Sequence, residues 1–355
     1  MRRRVRGFLA GAAIIAALVL LAPAVIVVLP FWVVGFLTAW LARRLEPPAT
    51  PWTSLVAFEP EVGWKPRPGL DTHYAVDGED IFRLVTDPDG WPGATRLETS
   101  EIVVLGDSFA FGFGCDAPVT FFGLATGRRI KPIAAPGYNM VQELLWMERL
   151  APALRDRLVV WFVYYGNDLY DNLTPHVGPY RAPFVRERAD RDRWEVVTAH
   201  VSPRRWTSSV GRRRLHSRVL AALHSPTPLA TRALAASDFL LAEGATICRR
   251  AGAQLAILTI PSPETLSPAG LRRLAASQPD GPPLDLELPD ARVSATCRRL
   301  SLPLVVGRRV FGLEHFRADG HWNPAGHRRV AALLDDLHAQ VRRTAPVPAT
   351  QGSLG

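Results

Sequence analysis

Between Arg6 and Arg43 the chain runs for 36 residues without a charge, and nearly all of them are apolar. As one helix this stretch would reach ~54 Å, against a bilayer hydrocarbon core of ~30 Å. A cleaved signal peptide would need a short apolar region and a small-residue cleavage site. Ala22-Pro23-Ala24 mimics such a site, but the apolar run continues past it. A two-helix hairpin would need a polar turn, and none is present. A single transmembrane helix over about residues 8–29 accounts for the pattern best. Phe31, Trp32, Phe36 and Trp40 then form an aromatic belt at the far interface, so residues 8–41 are the expected membrane contact. Residues 46–51 read as a linker. The segment 58–96, with its GWKPRPG turn and alternating HYAV and IFRLV patches, reads as a small β-rich lead-in. From Ser100 onward, buried-strand patterns at 101–107, 130–137, 158–168, 254–261 and 302–307 alternate with helical ones near 139–153, 236–251, 289–300 and 324–343. Continuous apolar strands alternating with helices predict an α/β fold. The expected architecture is a three-layer α/β/α sandwich of about five parallel strands.

These patterns divide the chain into a cytoplasmic tip and anchor (1–45), a linker and lead-in (46–99), the α/β domain (100–343) and a tail (344–355). Apolar residues make up 48% of the chain and charged ones 21%, which excludes disordered, collagen-like and coiled-coil classes. The net charge of +9 invites a nucleic-acid reading. Lys65 and Lys131 are the only lysines, so the excess is arginine throughout and reflects composition rather than a binding face. Arg2, Arg3, Arg4 and Arg6 before the apolar run outweigh Arg43 and Arg44, which Glu46 partly offsets. That asymmetry predicts a single-pass inner-membrane protein with a cytoplasmic N-terminus and an extracytoplasmic α/β domain.

Candidate chemistry falls at the strand ends, where open α/β sheets place their sites. The first strand ends in Gly106-Asp107-Ser108-Phe109, a turn that can present the Ser108 hydroxyl as a nucleophile or as a helix cap. The second ends in Pro136-Gly137-Tyr138-Asn139, where glycine allows a backbone N–H close to a ligand oxygen. The third ends in Gly166-Asn167-Asp168, whose amide can donate to a developing oxyanion or close an Asx turn. Near the C-terminus, Asp319-Gly320-His321 supplies a base and an orienting acid for a serine nucleophile. His327, at the start of the last helix, reads as a packing histidine. Asparagine is as scarce as lysine: Asn139, Asn167, Asn172 and Asn323 are all there are, and three fall in these blocks. That placement points to amide chemistry at the blocks.

Taken in order, the four blocks resemble the SGNH hydrolase superfamily, the GDSL-type esterases and lipases, over about residues 100–343. The membrane run, the EVGWKPRPG segment and the DGHWN form look like membrane-anchored bacterial members. The resemblance implies a flavodoxin-like fold, Ser108 as nucleophile, His321 as base and Asp319 as its orienting acid. It further implies an oxyanion hole from the Ser108 and Gly137 backbone N–H groups and the Asn167 side chain. The family's common form is Asp-x-x-His, whereas this chain has Asp-x-His, as in alginate O-acetyltransferase-type relatives. Ester hydrolysis is therefore the first expectation. Acyl transfer to an envelope glycan or lipid and a catalytically silent glycan-binding or scaffold role are the alternatives.

The Arg-rich insertion at about 175–235 follows the Asn167 strand and reads either as a cover selecting anionic substrates or as a solvated loop. It has no nucleic-acid module. Cys115, Cys248 and Cys297 lack metal spacing and no phosphate-cradling loop is present, so neither a metal nor another cofactor is expected. The expected partners are an acyl-ester substrate, lipid or polysaccharide in kind, and the membrane.

Overall fold

The computed structural model describes residues 50–76, 80–124, 127–175, 180–188, 193–203 and 212–344. The expected membrane anchor, parts of the insertion and the chain beyond Thr344 lie outside the described residues. Among the described residues no helix is long and apolar enough to cross a membrane.

The lead-in contains β1 (Thr50–Pro51), β2 (Val56–Glu59), β3 (Gly63–Pro66), β4 (Asp71–Val76) and β5 (Asp80–Val85). β2 and β3 form an antiparallel hairpin; β4 pairs antiparallel with β5 and parallel with β1. The large sheet follows: β6 (Ile102–Gly106), β7 (Ile130–Ala134) and β8 (Leu158–Tyr164). The hairpin β9 (Phe184–Arg188) and β10 (Arg193–Val197) intervenes before β11 (Gln254–Ile260) and β12 (Leu304–Val305). The sheet order is β12-β11-β8-β6-β7 with every pairing parallel. This is the doubly wound 2-1-3-4-5 order, whose winding reverses between β6 and β8.

Burial follows the two-residue period of each strand. Val103, Leu105, Val159, Trp161 and Val163 point into one core layer. Ile102, Val104, Val160 and Phe162 point into the other. Helices cover both faces: α1 (Ser108–Phe111), α2 (Met140–Leu150), α3 (Asp168–Asp171), α4 (Arg212–Leu223), α5 (Pro228–Ala251), α6 (Pro268–Ser277), α7 (Leu288–Leu300) and α8 (Pro324–Thr344). Their ends follow local chemistry. Asn139 makes a capping box with Gln142 at the start of α2. Thr227 caps α5, whose first residue is Pro228 and which ends at a left-handed Gly252.

The lead-in is fastened to the sheet by buried polar contacts. Trp64 Nε1 donates to the Pro136 carbonyl at 3.1 Å, and Tyr138 Oη donates to the Trp64 carbonyl at 2.6 Å. Lys131 on β7 pairs with Asp87 at 2.7 Å with both side chains almost fully buried. The other lysine, Lys65, lies 4.8 Å over the Trp91 ring and 5.0 Å over Trp146. Both lysines in the chain are thus committed to joining the lead-in to the α/β unit.

Candidate active site

The turn from Gly106 to Ser108 is dictated by packing. A Cβ on Gly106 would lie 2.7 Å from Ala110 Cβ and 3.1 Å from Phe162 Cβ, so only glycine lets β6 run straight into α1. Asp107 caps α1 by accepting the Phe109 N–H at 3.0 Å. Ser108 is therefore not the cap. It occupies the first helical turn, where its hydroxyl faces His321, with Nε2 3.0 Å from Oγ.

His321 is delivered by a tight turn. Phe316 and Trp322 form an antiparallel bridge, Arg317 N–H donates to the His321 carbonyl at 2.7 Å, and Gly320 N–H donates to the Arg317 carbonyl at 3.0 Å. Trp322 anchors that turn in the core, with its ring 4.8 Å from Phe109 and 5.7 Å from Phe162. Asp319 Oδ1 accepts the His321 backbone N–H at 3.0 Å, and Oδ2 lies 3.5 Å from His321 Nδ1. That separation is an ion-pair contact longer than an ordinary hydrogen bond, and neither buried atom has a hydrogen-bond partner. The structure thus brings Ser108, His321 and Asp319 together in one chain of contacts.

Gly137 and Asn167 follow β7 and β8, the two strands flanking β6. Gly137 adopts φ +76°. Asn167 heads α3 but its side chain makes no cap hydrogen bond, and its buried Oδ1 has no partner. The other asparagines serve the scaffold, which corrects the expectation of amide chemistry at Asn139 and Asn323. Asn139 caps α2 and donates to the Asp171 and Pro183 carbonyls at 3.0 and 2.9 Å. Asn172 accepts the Met140 N–H at 3.0 Å. Asn323 accepts from Ala325 and Gly326 at the start of α8.

The electrostatics differ sharply around the site. Burial pushes the Asp319 carboxyl upward. The His321 ring, its backbone N–H and Arg317 together outweigh that and hold it down to about 2. Burial pushes the Asp107 carboxyl up instead. It repels two further buried acids: Glu143, which the sequence reading missed, and Asp168, which that reading placed in the third block without a role. Burial raises both well above the usual carboxylate range, and repulsion from Asp107 adds to it in each case. Glu143 Oε2 accepts the Trp161 indole N–H at 2.5 Å, and Asp168 Oδ2 accepts the Tyr164 N–H at 2.7 Å. Only the isolated charge within the apolar face of α2 marked Glu143 in the sequence. His327 is a packing residue: Phe121 N–H donates to its Nδ1 at 3.4 Å, and burial pushes its ring down to about 3. Cys115, Cys248 and Cys297 are buried free thiols.

The insertion is tied to the end of α3, with Val185 N–H donating to the Asn172 carbonyl at 2.8 Å. On its hairpin, Arg186 and Arg188 both pair with Glu195, so part of the arginine charge is neutralised locally.

No family model matches the chain, and no curated protein matches it. Among solved structures it is similar to that of TesA, at 17% identity with a TM-score of 0.37, covering 66% of this chain and 96% of that one. It is also similar to a GDSL-like lipase from Bacteroides thetaiotaomicron, at 13% identity with a TM-score of 0.38, covering 70% and 93%.

Proposed function

We propose that this chain is a serine-dependent acyl-ester hydrolase acting through Ser108, His321 and Asp319. The observation that carries the reading is the 3.0 Å approach of His321 Nε2 to Ser108 Oγ at the C-terminal edge of a doubly wound sheet. Ser108 Oγ attacks the ester carbonyl carbon as His321 takes the hydroxyl proton. Asp319, ionised at any working pH, steadies the resulting imidazolium. The backbone N–H groups of Ser108 and Gly137 and the Asn167 amide receive the oxyanion. Collapse expels the alcohol, which takes the proton from His321. Water then attacks the acyl-Ser108 ester, again giving a proton to His321, which passes it to the departing Ser108 oxygen as the acid is released.

A fluorophosphonate probe tests the reading. Wild type labels and hydrolyses 4-nitrophenyl acetate, while Ser108→Ala does neither. An unlabelled wild type would leave the silent scaffold role in its place. The Asp319-Gly320-His321 spacing favours acyl transfer as a second reading. Acyl-enzyme that partitions to an added glycan hydroxyl faster than to water supports it. The apolar run at residues 8–41 would tether this activity to the inner membrane with the site outside. Cytoplasmic activity of a reporter fused after residue 50 would overturn that orientation.

A further inference from the structure

The lead-in hairpin β4–β5 lies outside the doubly wound sheet, yet it reaches both members of the acid–base pair. Tyr74 and Phe82 face each other directly across this hairpin, with ring centroids 6.0 Å apart. Each starts a short chain of contacts that ends at the site. Tyr74 is buried, and its hydroxyl accepts the Gly114 N–H at 2.8 Å. Its ring packs 5.5 Å from Phe113, whose own ring lies 4.8 Å from His321. Phe82 instead carries the Arg317 guanidinium, 4.6 Å above its ring centroid. Arg317 Nε in turn lies 3.6 Å from Asp319 Oδ1.

The loop at Gly114 closes the arrangement. Its φ is +78°, and a Cβ there would lie 3.2 Å from Arg317 Nε and 3.6 Å from Asp319 Oδ2. Glycine alone allows this backbone against the ion pair. The Asp319 side chain is 11% exposed and that of Arg317 20%, so their interaction is only weakly screened.

We propose that the Tyr74–Phe82 cross-strand pair is a positioning device for the acid–base dyad, fixing His321 through Phe113 and Asp319 through Arg317. Arg317 is the electrostatic member. It shares the Asp319 carboxylate with His321, and so limits how strongly that carboxylate holds a proton on the imidazole. The other groups facing this centre are Asp107 on the nucleophile turn, His327 on α8, and Cys115 and Asp116 on the loop after α1. Of these, Cys115 also feels the Arg317 charge, which opposes the effect of burial on its thiol.

The proposal rests on the serine-hydrolase reading for its kinetic arm only. The primary measurement is the His321 titration, followed by NMR on the full chain, which needs no turnover. Arg317→Met removes the cation from beside Asp319, so the His321 midpoint rises by about 0.5–1 pH unit. Arg317→Lys keeps the charge and restores most of the wild-type midpoint. Phe82→Leu keeps the bulk but releases the guanidinium, and shifts the midpoint in the same direction by less. In the kinetic arm, the acid limb of kcat/KM moves upward with the midpoint. Tyr74→Phe lowers kcat several-fold without moving that limb, because it loosens Phe113 and leaves the charges intact. An unchanged His321 midpoint in folded Arg317→Met overturns the proposal, even if its melting temperature has fallen. A shifted midpoint in a protein that labels with no serine probe keeps the proposal and removes the hydrolase reading.

Discussion

Two turns meet at the candidate site, and each places an aspartate within two residues of Ser108 or His321, but their surroundings treat the acids in opposite ways. Asp107, beside Ser108, is buried at the C-terminal end of β6, so burial pushes it toward protonation, and it in turn repels Glu143 and Asp168. Asp319, beside His321, faces an imidazole, a backbone N–H and an arginine, and stays ionised down to about pH 2. Proximity to the reacting atoms does not assign a role to a carboxylate; the groups that solvate it do. In the proposed reading the Asp319 turn holds negative charge next to the His321 ring, and the Ser108 turn places an oxygen, with Asp107 holding the backbone of α1 through the Phe109 N–H.

Replacing His321 or its aspartate has the largest effect. His321→Ala removes the base and lowers kcat/KM for 4-nitrophenyl acetate by at least ~10⁴-fold. Asp319→Asn keeps the shape of the turn but removes the charge, and lowers the rate by ~10²–10⁴-fold. His321→Ala melts near wild type, whereas Asp319→Asn melts lower because it loses the charge contacts that hold this carboxylate ionised. If Asp319→Asn retains wild-type kcat, the charge assigned to the acid–base turn has no catalytic part.

The asparagines sharpen the contrast at the next level. Asn167→Ala removes an uncommitted oxyanion donor and lowers kcat by ~10²–10³-fold with little change in melting temperature. Asn139→Ala does the reverse. It loses the α2 cap and leaves the Asp171 and Pro183 carbonyls short of a donor, so stability in urea falls by about 2–3 kcal/mol. Activity scaled to the folded fraction is unchanged.

Acid titration separates the scaffold from the site. His327 and His224 are held neutral by burial, down to about 3 and about 4. Below their solvent value of ~6.5 the unfolded chain binds protons that the folded chain refuses. Stability is therefore complete above that value and falls by up to about 1.4 kcal/mol per pH unit for each histidine as the pH drops toward 4 and 3. Asp319 acts in the lower window: its contribution is present above ~3.8 and lost as the pH falls through about 2. Calorimetry of His327→Gln from pH 7 to 4 checks this, and an unchanged slope would show that His327 is not the refusing group.

Much of this was legible in the chain because each strand and its following turn are local. The apolar runs at 130–137 and 254–261 contain β7 and β11, and the run at 158–168 continues past the end of β8 into the Gly166–Asn167 turn. The Ser108–His321 pairing was legible as an order of blocks, since a parallel sheet brings successive strand ends to one edge. What stayed hidden depends on contacts distant in sequence. Locally only Gln142, three residues on, marks Asn139 as a cap; what commits its amide is the arrival of the Asp171 and Pro183 carbonyls. Arg317 was one arginine among many until Phe82, from a hairpin more than two hundred residues earlier, was seen to lie beneath it.

The smallest effect tests the comparison from its other side. Asp107→Asn removes a charge that burial already disfavours, while the amide oxygen can still accept the Phe109 N–H that holds α1. The folded state gains from losing a repelling partner for Asp168 and Glu143, so the melting temperature at pH 8 rises or stays level. At pH 5 the gain shrinks, because the native carboxyl takes up a proton there more readily than an exposed one. Activity falls only modestly, by about ten-fold or less, since the Ser108 hydroxyl loses a weak 3.3 Å contact to Oδ2 and gains an amide neighbour. A loss as large as that of Asp319→Asn would mean that the nucleophile turn uses its carboxylate as a charge. The two aspartates would then differ in degree and not in kind.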